Sequence, residues 1–150
     1  NYSLEIEDEF YISYLTTPIV KSATSSISTI PEGALIKTAS NPDIFIVKYV
    51  GNKKFKRLVL SPSVFNNYGH LRWEDVMDVS QSTLNSFTTS ELVRVVGDDK
   101  IYRLYPQGDS GQKRLIKNNS VLTRLGLDLD SIYEINTFDR ESYITGVILE

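Results

Sequence analysis

The chain contains no cysteine, one methionine, one tryptophan and one histidine among its 150 residues. The absence of cysteine excludes disulfides, thiol nucleophiles and thiolate metal sites. No apolar run approaches the ~20 residues of a membrane-spanning helix, and no signal peptide is recognisable, so the sequence predicts no membrane span. The net charge of −3 is small, which argues against the broad basic face that a nucleic-acid partner requires. The chain begins at Asn1, which is typical of a mature or trimmed product.

A repeat is the most informative feature that the chain does contain. Leu35-Ile36-Lys37 recurs as Leu92-Val93-Arg94, and Lys56-Arg57-Leu58-Val59 recurs as Lys113-Arg114-Leu115-Ile116, each 57 positions later. After Gly126 one residue is lost and the separation becomes 56 positions. A fixed period of this kind predicts tandem copies of one supersecondary unit.

The repeat divides the chain into three parts. Residues 1–32 are predicted to be an N-terminal extension, with alternating strand periodicity followed by a Ser/Thr-rich linker. Residues 33–90 form the first predicted unit, and residues 91–150 form the second. Residues 146–150 match the first strand of a unit, so they are either the start of a third unit or a closing strand that acts as a cap.

Each unit is predicted to be a β-hairpin followed by a short helix. Ser61 and Pro62 have the form of a helix start, with a hydroxyl N-cap before proline, and Gly69 suits the left-handed position after the helix. An asparagine and Gly126 take the corresponding places in the second unit. The predicted fold class is α+β, mainly antiparallel β, with two tandem β-hairpin-plus-short-helix repeats and a C-terminal closing strand.

The repeated basic pairs, Lys56-Arg57 and Lys113-Arg114, are the most suggestive polar feature. Neighbouring residues on a strand point to opposite faces, so one member of each pair should lie inward and one towards water. An inward cation could form an ion pair with Asp75 or Asp78 that sets the register. A repeated anion-binding or glycan-binding site is the alternative.

Trp73 and His70 are candidate ligand-binding residues because they do not repeat. Tryptophan is enriched in interface hot spots, which makes Trp73 the best single candidate for a specific contact. His70 follows the glycine that ends the first predicted helix. It is either a cap or half-buried side chain, or a specialised ligand, and it lacks metal-binding partners at any standard spacing.

Two short motifs resemble sites that the rest of the sequence does not support. Gly108-Asp109-Ser110-Gly111 resembles the surroundings of a serine-protease nucleophile, but such a serine needs a base held by a third group, and His70 is the sole histidine. The motif favours a turn. Asp128-Leu129-Asp130-Ser131 spaces its carboxylates as calcium loops do but lacks the later ligands. The sequence therefore predicts no catalytic residue, no metal and no cofactor.

The first unit resembles a known type of repeat. The elements that carry the resemblance are Pro31 to Lys37, Ile44 to Val47, Lys56-Arg57, Pro62 to Phe65, Gly69, Trp73 to Val76, and Leu84. They are similar to tandem repeats of this length in predicted secreted and surface proteins of poorly characterised bacteria, although the second unit lacks the proline and the tryptophan. The resemblance implies a surface location and a binding or spacer role, and it assigns no functional residue.

Three functions remain as expectations from the sequence. The first is a non-enzymatic repeat module, outside the cell or on its surface, that binds a polymer such as cell-wall glycan or polysaccharide, or a protein partner. The second is a structural subunit of a surface filament or layer that assembles by strand addition. The third is a glycosidase-like enzyme, because scattered carboxylates are compatible with an acid–base pair.

Overall fold

The computed structural model describes residues 29–150, and residues 32–150 form one compact unit. The strand pattern and linker predicted for the N-terminal extension lie outside the described residues, apart from the last residues of that extension. The predicted α+β fold is confirmed, because the described residues form two five-stranded sheets and four short helices.

The first sheet and its connections occupy residues 35–89. The elements in chain order are β1 (Leu35–Thr38), β2 (Asn41–Val50), β3 (Lys53–Leu58), α1 (Pro62–Asn67), the 3-10 turn Trp73–Asp75, β4 (Met77–Asp78), α2 (Gln81–Asn85) and β5 (Thr88–Thr89). Two helices and a 3-10 turn therefore lie between β3, β4 and β5 in the chain. In the sheet, the strands are arranged in the order β4-β1-β2-β3-β5.

The second sheet has the same element order and occupies residues 92–145. The elements in chain order are β6 (Leu92–Val95), β7 (Tyr102–Gln107), β8 (Ser110–Leu115), α3 (Asn119–Arg124), the 3-10 turn Leu129–Ser131, β9 (Tyr133–Ile135), α4 (Thr137–Glu141) and β10 (Ile144–Thr145). Read from β9, the strands of this sheet are arranged β9-β6-β7-β8-β10, which is the arrangement of the first sheet read from β4.

Both sheets are mixed. In the first sheet β1, β2 and β3 pair antiparallel, while the outer strands β4 and β5 pair parallel with β1 and β3. The second sheet has the same pattern. The prediction of mainly antiparallel strands is therefore not confirmed. The outer strands pair parallel because each returns to the sheet after a helical connection, which carries the chain back to the end from which it started.

Side-chain caps define where the helices begin. The Ser61 hydroxyl accepts a hydrogen bond from the backbone of Val64, with Pro62 at the first helical position. Asn118 caps α3 in the same way. Gly69 and Gly126 follow α1 and α3 with positive φ, the conformation that the sequence assigned to them. Each helix has only five or six residues, so packing rather than helix propensity stabilises it.

The core is shared between the two sheets. One cluster of buried side chains contains Leu35, Phe55, Val64 and Phe65 from the first half together with Leu104 from the second. A smaller cluster lies under α3 in the second half. The predicted units 33–90 and 91–150 thus have separate sheets, but a common core joins them.

The C-terminal residues pack against the second sheet. The N–H of Leu149 donates to the carbonyl of Leu115 at 2.8 Å, and the N–H of Lys117 donates to the carbonyl of Leu149 at 3.0 Å. Leu149 also contacts the smaller core cluster. Residues 147–150 therefore extend the second sheet by a short parallel bridge.

Candidate functional site

A buried ion pair joins β3 of the first sheet to α4 of the second half. The two terminal nitrogens of Arg57 donate to the two carboxylate oxygens of Asp139, both at 2.7 Å. Arg57 is 2% exposed and Asp139 is fully buried. The Tyr68 hydroxyl donates to the same carboxylate at 2.6 Å, and the Asn136 side chain caps the N–H of Asp139. This geometry satisfies both carboxylate oxygens, as a buried charge requires.

Burial and charge act in opposite directions on this network. Burial alone would lower the pKa of Arg57, but the Asp139 carboxylate and its hydrogen bonds raise that pKa overall. The pKa of Tyr68 is raised well above its ordinary value, first by burial and then by the Asp139 carboxylate. Both groups therefore stay protonated at neutral pH, and the pair has the character of a permanent structural contact.

The lysines of the two basic pairs occupy equivalent buried positions. The ammonium of Lys56 donates to the carbonyls of Leu84 and Phe87 at the end of α2, at 3.0 and 2.7 Å. The ammonium of Lys113 donates to the carbonyl of Tyr143 just after α4, at 2.7 Å. A cation here bonds the carbonyls at the end of a helix, where the helix dipole is negative. Burial lowers the pKa of Lys56.

The prediction that each basic pair has one inward member and one outward member is wrong for the first pair. Both Lys56 and Arg57 are buried, since Lys56 bonds the carbonyls at the end of α2 and Arg57 bonds Asp139 of α4. In the second pair Lys113 is buried, while Arg114 is only half-buried and donates to the carbonyl of Val147 at 2.7 Å. Three of the four basic residues are thus buried, and all four make contacts within the chain.

The acidic partner predicted for the inward cation is also different. Asp78 pairs with Lys37 at 2.7 Å, and Asp75 lies 3.9 Å from Arg72. Arg57 pairs with Asp139, which is 82 residues away in the sequence. The sequence does not reveal this partner, since Asp139 resembles an ordinary acidic residue in the first turn of a helix that Asn136 caps.

Trp73 is exposed and held in a fixed orientation. The residue is 48% exposed, and its indole stacks on Phe65, with ring centroids 4.0 Å apart and planes at 24°. The indole Nε1 donates to the side chain of Asn66 at 2.8 Å. One ring face therefore packs on the core, and the remaining surface faces solvent without having to reorganise.

Trp73 lines two depressions. The larger, with a volume of about 540 Å³, combines the indole with the Lys37–Asp78 ion pair, the Ala39-Ser40 turn and apolar side chains. The smaller, about 250 Å³, is mostly apolar and is lined in part by Phe65. We call the larger one the Trp73 depression. An aromatic platform beside charged and hydroxyl-bearing or amide side chains suits a hydroxyl-rich ligand.

His70 does not face the Trp73 depression. Its Nδ1 lies 3.1 Å from the carbonyl of Tyr68, and its ring packs edge-on against the Tyr68 ring, 5.9 Å between centroids. The imidazole is exposed. The structure therefore places His70 in the turn after α1, apart from Trp73 and from the basic pairs.

A second aromatic residue lies beside cations on the second sheet. The ring of half-buried Tyr105 has the guanidinium groups of Arg103 and Arg114 each 5.7 Å from its centroid. Both distances lie within the range of a cation–π contact. Sequence reasoning did not single out Arg103, since its counterpart 57 positions earlier is Ile46.

The two short motifs have structural roles. Gly108 and Asp109 form the two-residue turn between β7 and β8, and the Ser110 hydroxyl donates to the carbonyl of Gln107 within that turn.

Asp128 and Asp130 accept hydrogen bonds from Lys53 of the first half. These bonds lower the pKa of Asp128 and raise that of Lys53. Within residues 29–150, no group of three or more histidine, aspartate or glutamate side chains is arranged to hold a metal ion.

The fold and the site define an α+β protein with two equivalent sheets, a buried charged joint and an exposed tryptophan platform. Comparison of the chain with protein-family models, with curated proteins and with solved structures found no match. No helix in the described part of the chain is long and apolar enough to cross a membrane.

Proposed function

We propose that this protein is a non-enzymatic repeat module, outside the cell or on its surface, that binds a glycan polymer through Trp73. The observation that carries the proposal is the preorganised indole. It is stacked on Phe65, bonded to Asn66 and exposed beside the Lys37–Asp78 pair. A sugar ring presents an apolar face that packs on an indole, and its hydroxyls can bond the neighbouring polar groups.

The repeat supports this proposal. The halves share one element order at separations of 57 and 56 positions, as expected for tandem copies of one unit. Trp73 is replaced by Leu129 in the second half, so one copy is specialised while the other keeps the scaffold. This division is compatible with the surface-protein repeats that the sequence resembles, in which the extracellular location and the binding role are expectations.

The test is a pull-down and titration with insoluble cell-wall glycan and with soluble polysaccharides. We expect Trp73→Ala to weaken binding by about thirtyfold, which corresponds to ~2 kcal/mol for an aromatic hot spot. Trp73→Phe should retain part of the affinity, because it keeps an aromatic face. Leu129→Ala is the matched control, since Leu129 occupies the equivalent exposed position and should leave binding unchanged.

Two results would contradict the proposal. One is equal binding by the wild type and Trp73→Ala across the glycans tested. The other is an equal loss in the Leu129→Ala control, which would indicate a general surface effect. Circular dichroism of each variant checks that the fold is retained.

The alternative is a structural subunit that assembles by strand addition. The outer strands β4, β5 and β10 have only two residues each, and β9 has three. A short edge strand offers few free backbone groups to an incoming strand. These short edges therefore give the alternative less support than the Trp73 platform gives the glycan-binding proposal.

A further inference from the structure

Two arginines stand directly opposite each other in the second sheet. Arg103 on β7 pairs in register with Arg114 on β8, and both side chains are only half-buried. Side chains at opposite positions share one face of the sheet, with their Cβ atoms about 5 Å apart, and two like charges placed in this way are destabilising. Both guanidinium groups also lie 5.7 Å from the centroid of the Tyr105 ring. The like-charged pair therefore opposes folding, so a structural role alone does not account for it.

The first half shows that the scaffold does not require the second cation. At the equivalent positions Ile46 stands opposite Arg57, and Arg57 is bonded to Asp139. The two sheets have the same strand arrangement. The same unit thus forms with an apolar residue in this place, and Arg103 is an addition found in the second half.

The charges of the pair are little neutralised by neighbouring side chains. The Glu91 carboxylate lies 3.7 Å from Nε of Arg103, which is too long for a hydrogen bond, and both side chains are partly exposed, so the contact is weak. Among residues 29–150 no acidic side chain pairs with Arg114, whose Nε donates to the carbonyl of Val147. Within the same residues the terminal nitrogens of both guanidinium groups donate no hydrogen bond, which leaves them available to a ligand.

We propose that Arg103, Tyr105 and Arg114 form a second ligand site, which binds a carboxylate-bearing sugar of an acidic polysaccharide. The planar guanidinium group matches the two oxygens of a carboxylate. The ring of Tyr105 offers an apolar surface to the sugar ring. A free inorganic anion would use the arginines but not the aromatic ring, so the combination favours an acidic sugar. The net charge of −3 is unfavourable for a nucleic acid.

This site goes beyond the proposed function and shares no residue with it. Trp73 belongs to the connection between β3 and β4 of the first half, whereas the arginines lie on β7 and β8. A neutral glycan should depend on Trp73, and an acidic group should depend on Arg103 and Arg114. Either proposal can therefore fail without the other.

The experiment is titration calorimetry of the full chain with polygalacturonate, a neutral glucan, inorganic phosphate and single-stranded DNA. We expect polygalacturonate to bind, with an affinity that falls as salt is added. Arg103→Ile reproduces the arrangement of the first half and should weaken this binding by about tenfold, as expected for the loss of hydrogen bonds to a charged group. It should leave any binding of the neutral glucan unchanged.

Lys100→Ile is the matched control. It removes the same charge with the same replacement, and Lys100 is exposed in the connection between β6 and β7. We expect it to leave the affinity for polygalacturonate unchanged. Urea denaturation without ligand gives an independent measurement. Arg103→Ile should keep or raise the unfolding midpoint, because it removes one of two like charges, whereas a structural role for Arg103 predicts a lower midpoint.

Several results would overturn the inference. Polygalacturonate could fail to bind, or could bind Arg103→Ile as tightly as the wild type. An equal loss with Lys100→Ile would indicate net charge rather than a defined site. A lower unfolding midpoint for Arg103→Ile would indicate a structural role. Phosphate or DNA bound as tightly as polygalacturonate would indicate a general anion site rather than one for acidic sugars.

Discussion

Replacing Arg57 with methionine should be among the most destabilising single substitutions in the described part of the chain. Methionine keeps most of the buried stem of arginine but removes the two 2.7 Å bonds to Asp139. The fully buried carboxylate then retains only the Tyr68 hydroxyl as a hydrogen-bond donor. Breaking a buried pair from one side in this way costs about 3–5 kcal/mol.

The measurement is urea denaturation followed by circular dichroism. With a slope of about 2 kcal/mol/M for a small domain, the expected loss moves the unfolding midpoint down by roughly 2 M. Arg114→Met is the matched control, since it removes the equivalent arginine of the second sheet. We expect it to change stability by no more than about 0.5 kcal/mol, as a surface substitution does.

The double variant Arg57→Met, Asp139→Leu separates the charge from the packing. Removing both partners leaves no buried charge, so the double variant should be more stable than Arg57→Met alone. The reasoning is wrong if Arg57→Met costs less than about 1 kcal/mol, or if the double variant loses the full sum of the two single losses.

Two further predictions concern the buried lysines and tyrosines. Lys113→Met should lower the free energy of unfolding by about 1–2 kcal/mol, measured by urea denaturation, because the carbonyl of Tyr143 loses its donor. Lys56→Met should lower it by a similar amount. Unchanged unfolding midpoints in both variants would contradict the role of these lysines at the helix ends. Burial raises the pKa values of Tyr68, Tyr133 and Tyr143 above the ordinary 10.0, so the stability they contribute is complete below about pH 10 and is lost as the pH rises through their folded-state values. The lowered pKa of Lys56 has the opposite effect on stability, because loss of the proton from this one buried lysine favours the folded state as the pH rises. A spectrophotometric titration should show tyrosines that ionise only on unfolding, and a single early titration phase would contradict their burial.

Local features of the sequence were sufficient to predict where the first helix begins and ends. Ser61, Pro62 and Gly69 predicted where α1 begins and ends, and the structure confirms a capped helix there. These signals act through contacts within a few residues, so they can be read from the chain. The outer strands of two or three residues carry too little periodicity for their parallel pairing to be recognised.

The candidate site was only partly predictable. Trp73 could be identified because it is a single large aromatic residue that breaks the repeat, and the structure leaves it exposed. The partner of Arg57 could not be identified, since Asp139 is 82 residues away and has no counterpart acid in the first half. The pairing depends on how the two sheets meet.

The sequence by itself determined the period, the caps and the order of the elements, because each depends on local geometry and on a pattern that the chain repeats. The tertiary structure alone decided which repeated residues are buried. Arg57 and Arg114 occupy equivalent positions on equivalent strands, yet a second half covers Arg57 and no residue that the structure describes covers Arg114 in the same way. Burial depends on what packs against a strand, and in a repeat the neighbouring copy supplies that contact.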